Sequence, residues 1–171
     1  MNERSTDPEA ERLFLLGDRL SDAGHYREAW RAFLRAARCG HASSQLNLGT
    51  MYSDGRGIRR SRSKARHWLL KAMADRGTAA AAANNLGITY LERSFVRRGR
   101  RWLELAIALG DDDARLHFGH LVLAVYGDLA QARVQFQRLE DSPLATAAGN
   151  ESGRSWRAMV ESMVASRNVR G

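Results

Sequence analysis

Apolar and small residues return every three or four positions along most of this chain, which is the spacing of helices that bury one face. Asp7-Pro8-Glu9 reads as a helix start, with Asp as N-cap, Pro in the first turn and acids beside the positive helix end. Leu13, Leu16, Gly17 and Leu20 then form a stripe, Ala23-Gly24-His25-Tyr26 turns the chain, and Ala29-Trp30, Ala32-Phe33 and Ala36 continue it on a second helix. The stretch from Leu48 to Gly77 holds the end of a third helix, a loop bracketed by Gly55 and Gly57, and a fourth helix with Ala65, Trp68, Leu69 and Ala72 on one face. Ser61 stands where a side-chain oxygen can take up free amides of that fourth helix. Later, Tyr126-Gly127-Asp128-Leu129 predicts a tight turn into a helix carrying Ala132, Phe136 and Leu139. Residues from Pro143 to Gly153 read as loop, and Trp156, Met159, Val160, Met163 and Val164 make the single apolar face of a last helix.

The landmarks are periodic. Leu16-Gly17, Leu48-Gly49, Leu86-Gly87 and Phe118-Gly119 are separated by 32, 38 and 32 residues, and Trp30, Trp68, Trp102 and Phe136 by 38, 34 and 34. Four helical hairpins follow, enough to stack a continuous core, with the glycines admitting close approach and the aromatics filling the gap within each pair. The third unit departs from the others: Gly99 stands where Ala65 stood, and Ser94-Phe95-Val96 replaces the double-glycine loop. The residues Leu48-Gly49, Tyr52, Gly55, Gly57-Ile58, Lys64-Ala65, Trp68 and Gly77 closely resemble the Sel1-like repeat, a relative of the tetratricopeptide repeat, with Ser61 in place of the usual capping Asp. The resemblance implies an all-α fold, an α-solenoid of about four antiparallel helical hairpins plus a C-terminal capping helix. Residues 1–8 are then a tail, 9–142 the repeat domain, and 143–171 a loop and the cap.

Composition narrows the function classes. The 171 residues are 44% hydrophobic, which argues against disorder, and they carry a net charge of +8 from 27 basic side chains, of which only Lys64 and Lys71 are lysine. Leu13-Phe14-Leu15-Leu16 is too short an apolar run for a secretory leader, and no stretch is long enough to span a bilayer, so a cytoplasmic protein without membrane insertion is expected. Cys39 stands alone, which excludes an internal disulfide and a cysteine-cluster metal site. His117 and His120 have a spacing that could seat two metal ligands, but no third ligand is near, so ordinary packing or surface histidines are expected. Asp111-Asp112-Asp113 is better explained by helix capping and the helix dipole than by a cation. No phosphate loop, nucleophile elbow or hydrolase constellation is present, so neither catalysis nor a cofactor is expected.

Two surfaces remain. One is a basic ridge formed by Arg56, Arg59, Arg60, Arg62, Lys64 and Arg66 in the second unit and Arg93, Arg97, Arg98, Arg100 and Arg101 in the third, equivalent positions that a stack sets side by side. A solvated charged face is the alternative reading. The other is the concave surface lined by first helices, where Gln45, Asn47, Thr50, Asn84, Asn85, Thr89, Arg115, His117 and His120 offer amides, hydroxyls and imidazoles to an extended peptide, or else to packing between successive helices. The resemblance implies a non-enzymatic scaffold, adaptor or regulator whose partner is another protein, here one with an acidic surface. Neutralisation of a bacterial toxin by an immunity protein is one version that the resemblance includes. Nucleic-acid binding through the arginines is the competing class, although no stacking aromatic is interleaved with them if Trp68 and Trp102 belong to the core.

Overall fold

The computed structural model describes residues 7–92, 95–143 and 146–168. All regular structure among them is helical: α1 (Pro8–Asp22), α2 (Tyr26–Arg38), α3 (Ala42–Asp54), α4 (Arg62–Ala72), α5 (Arg76–Leu91), α6 (Val96–Ala108), α7 (Ala114–Leu121), α8 (Leu129–Glu140) and α9 (Ala147–Asn168). Val122–Tyr126 continues α7 as a wider, π-helical turn, ended by Gly127 in the left-handed conformation. This is the all-α fold of paired helices that the periodicity predicts. The chain divides into two compact units, one running to Thr89 and the other from Tyr90 onward.

In the first unit α1 pairs with α2, α3 with α4, and α2 packs on α3. Asp7 caps α1 as expected, its carboxylate accepting the Glu9 amide at 3.0 Å. Each hairpin closes on a glycine notch. A Cβ on Gly17 would lie 2.6 Å from the Phe33 ring, and one on Gly49 would lie 2.5 Å from Leu69. Phe33 and Leu69 are fully buried. The expectation that Trp30 and Trp68 fill these gaps is therefore corrected: both indoles are partly buried and pack on the edge of a cluster made by Ala29, Phe33, Ala37, Leu48 and Met51. Which side chain reaches the notch depends on the number of residues from glycine to filler, 16 in the first hairpin and 20 in the second, and not on which residue is largest.

Two smaller expectations also change. Leu16, placed on the buried stripe by its spacing, is 44% exposed. Ser61 does occupy the N-cap position of α4, but its hydroxyl lies 3.3 Å from the Ser63 hydroxyl and accepts no helix amide. A helix junction that spacing alone does not reveal is His41, buried at the start of α3. Its Nδ1 accepts the Ser44 amide at 3.2 Å, its Nε2–H donates to the Glu11 carboxylate at 3.0 Å, and its ring stacks on Phe14. One imidazole thus caps α3 and ties it to α1.

In the second unit α7 pairs with α8 and α8 with α9. Gly119 supplies the notch and the buried Phe136 ring fills it. Residues up to Gly153, expected as loop, are helical from Ala147. The glycines there are close-approach sites: a Cβ on Gly153 would sit 2.8 Å from the Phe136 carbonyl oxygen and 2.9 Å from the Glu140 nitrogen, and one on Gly149 would collide with the Asp113 carboxylate. The aspartate triplet divides its work. Asp111 caps α7 through the Ala114 amide, Asp112 pairs with Arg115 and accepts the Ser142 hydroxyl, and Asp113 accepts the Thr146 amide at the entry to α9. Only the first is the capping expected of all three. The apolar face of α9 is also narrower than expected, since Val160 is buried and Trp156 half-buried while Met159, Met163 and Val164 remain exposed.

Candidate interaction surfaces

Most of the amide and hydroxyl side chains on the first helices are engaged by their own chain. Gln45 donates to the Ala37 carbonyl at 3.2 Å. Asn85 on α5 donates to the Thr50 hydroxyl on α3 at 3.1 Å, and Thr50 donates onward to the Leu46 carbonyl. Thr89 is buried, donates to the Asn85 carbonyl at 2.8 Å and lies 3.2 Å from the Ser53 hydroxyl. In the second unit Arg115 is held by Asp112 at 2.9 Å and donates to the Gln135 side-chain amide oxygen at 3.4 Å. These residues stitch helices together. Asn47 is placed differently: with Asp18, Ser21, Thr50 and Asp54 it lines an open cavity of about 170 Å³.

Three polar atoms on this face are buried without a partner among the described residues: Asn84 Oδ1, His117 Nδ1 and His120 Nε2. The His120 ring lies edge-on to Trp156 at 4.2 Å and beside Phe136 at 5.6 Å. Burial pushes both imidazoles below their ordinary titration range, against the pull of Asp111 and Asp113 on His117, and His117 lowers His120 further. Neither histidine belongs to a cluster of three or more metal-ligating side chains among the described residues.

The arginines sort into engaged and unengaged groups. In the first unit Arg56 pairs with Asp54 at 3.5 Å and lies over the Tyr26 ring, Lys64 lies over the Tyr52 ring, and Arg60 and Arg62 are engaged within the chain. Arg59 and Arg66 are exposed and pair with no carboxylate among the described residues. In the second unit Arg100 is tied to Glu104 at 2.8 Å and lies over Phe118 and Tyr126, while Arg98 covers the Phe95 ring. Arg97 and Arg101 are exposed and unpaired among the described residues; Arg93 lies outside them. The two clusters belong to different units.

A cleft that the sequence does not signal opens beside the first cluster. Arg27 and Trp30 from α2 and Gly55, Gly57, Ile58 and Arg59 from the α3–α4 loop enclose about 600 Å³ of open space. Trp30 escaped notice as a surface residue because its position in the repeat suggested core, and Arg27 because it stands outside the arginine run. No described helix is long and apolar enough to cross a membrane.

Comparison with known proteins agrees with the helical pairing. The Sel1 repeat family matches residues 42–74, the α3–α4 hairpin, and residues 80–111, which hold most of α5 and α6. A crystal structure of a Sel1 repeat protein from Oxalobacter formigenes superposes with a TM-score of 0.59 at 26% identity, covering 75% of this chain and 53% of that one. This chain thus spans about half the length of that protein. The Pseudomonas aeruginosa protein 5086 matches over 95% of this chain and 84% of its own at 16% identity, with a TM-score of 0.41 too low to carry an argument. No curated protein matches the sequence.

Proposed function

Because this chain is a Sel1-like repeat protein, and Sel1 repeats are generally protein–protein interaction modules, we propose that it acts by holding another protein through its arginine clusters. It serves in this reading as a cytoplasmic adaptor, regulator or inhibitor without chemistry of its own. Occlusion of a toxin's working site, as an immunity protein does, is one concrete form.

The observation that carries the reading is the contrast between the two surfaces. Gln45, Thr50, Asn85, Thr89 and Arg115 spend their hydrogen bonds on the chain's own helices, whereas Arg59, Arg66, Arg97 and Arg101 stand exposed with no carboxylate beside them among the described residues. Unpaired surface cations add little to stability and serve best to steer an acidic partner and fix its orientation. Charge reversal of Arg59, Arg66, Arg97 and Arg101 to Glu should leave melting unchanged and abolish co-purification of an acidic protein at low salt. Retention of the same protein by the reversed variant would defeat the assignment.

A second reading has one specific observation in its favour. Trp68 is only half-buried, with the Lys71 ammonium 4.9 Å above its ring and His67 edge-on beside it, so an aromatic is available near the basic loop for stacking a base. Binding of a fluorescent oligothymidylate, with steep loss in salt, would favour nucleic acid over protein.

A further inference from the structure

We propose that the cleft between α2 and the α3–α4 loop is an anchor pocket for an acidic side chain of the partner, flanked by an apolar one. The proposal rests on the protein-binding reading and gives it a specific site. Its walls are held firmly. Gly57 adopts a positive φ of +74°, and a Cβ there would lie 2.6 Å from the Tyr26 carbonyl carbon and 2.7 Å from its oxygen, so the loop can lie against the start of α2 only through glycine. The Gly55 and Arg56 amides donate to the Met51 carbonyl at 2.9 and 3.1 Å, and the Ser61 amide to the Tyr52 carbonyl at 2.9 Å, which fastens the loop to the end of α3. Arg56 closes the contact from outside, its guanidinium 5.5 Å from the centre of the Tyr26 ring.

The chemistry of the lining selects the occupant. Arg27 and Arg59 both face the cleft, both are exposed, and neither pairs with a carboxylate among the described residues. Each guanidinium can offer paired N–H donors to a carboxylate, a geometry that lysine cannot reproduce. The half-buried Trp30 indole and Ile58 line the same cleft, an apolar floor for the neighbouring side chain of the same peptide. A planar ring and a branched aliphatic, in a lining with two arginines, match an aromatic or aliphatic residue next to Glu or Asp. Phosphate contacts alone would have no use for that floor.

The test is selection of a displayed library of random peptides against the full chain, followed by binding of the enriched peptides, fluorescein-labelled, to variants. Enriched sequences are expected to pair an acid with an aromatic or large aliphatic residue. The Arg27→Glu/Arg59→Glu double variant should lose at least about tenfold in affinity, the scale for removing a charged partner at an interface. The Arg12→Glu/Arg138→Glu variant, which reverses exposed arginines outside both clusters, should keep wild-type affinity, and circular dichroism should show both variants folded. Acidic peptides lost on reversal of Arg66, Arg97 or Arg101 but indifferent to Arg27 and Arg59 would overturn the pocket while leaving the protein-binding reading intact. Absence of any enriched peptide, with oligothymidylate binding lost in the Arg27→Glu/Arg59→Glu variant, would overturn both.

Discussion

The α3–α4 and α7–α8 hairpins use the same device in different surroundings. In both, a glycine on the first helix admits a buried side chain from the second, Leu69 in one and Phe136 in the other. Around Leu69 the notch is filled by a buried aliphatic side chain, and Thr50, next to Gly49 on α3, is hydrogen-bonded by Asn85. Around Phe136 the filler is part of an aromatic stack with His120 and Trp156, and two imidazole nitrogens are buried without partners. The packing solution is thus general, while the buried imidazoles without partners belong to the second unit. The same notch can be stable in one hairpin and sensitive to conditions in the other.

The largest effect that would test this contrast is loss of the ring. Phe136→Ala should destabilise by about 3 to 5 kcal/mol, the range for a fully buried aromatic, measured by chemical denaturation. An effect below about 1 kcal/mol would mean that the α7–α8 notch does not organise its unit. Leu69→Ala follows at about 2 to 5 kcal/mol and should exceed Trp68→Ala, because Leu69 is fully buried and Trp68 is not. The reverse order would return Trp68 to the core.

Acidification comes next and should act through the second unit. Burial holds the folded imidazoles of His117 and His120 below the unfolded value near 6.5, so the unfolded chain binds more protons as pH falls. Their contribution is intact above about pH 6.5 and is lost progressively as pH drops toward the folded titration range. Melting followed between neutral and mildly acidic pH should show a decline that His117→Gln/His120→Gln flattens; an unchanged slope would remove these two groups as its cause. Smallest of all, Arg59→Glu/Arg66→Glu should shift stability by no more than about 0.5 kcal/mol. A larger loss would show that those guanidiniums are structural.

The sequence carried the helices, their pairing and the glycine notches, because each leaves a local and periodic mark. It misassigned the fillers of the first two notches because tryptophan is the bulkiest residue on each second helix, while the residue at the notch is Phe33, 16 positions after Gly17, and Leu69, 20 positions after Gly49. It misread Gly149 and Gly153 as loop for a related reason: glycine signals both freedom and close contact, and only the neighbouring helix decides which. The polar face was legible as a set of residues, but not in its hydrogen bonds, since Asn85 and Thr50 are 35 positions apart and their meeting depends on how α3 and α5 pack. The Arg27–Trp30–Arg59 cleft was out of reach for the same cause, as its two walls come from separate hairpins.

Gly149 and Gly153 carry one more consequence, for the way the C-terminal segment comes apart. Gly153 costs about 1 kcal/mol relative to alanine in the interior of α9, and Gly149 lies in its first turn, so α9 is a poor helix by intrinsic preference and holds its shape through contact with α8. Glu140, gripped by Arg154 and Arg157, together with the buried Val160 supplies that contact. Undocking and unwinding are therefore a single event. In amide hydrogen exchange the whole of α9 should open as one cooperative unit, ahead of α7 and α8, and a ligand that displaced it would release a coil and not a swinging rod.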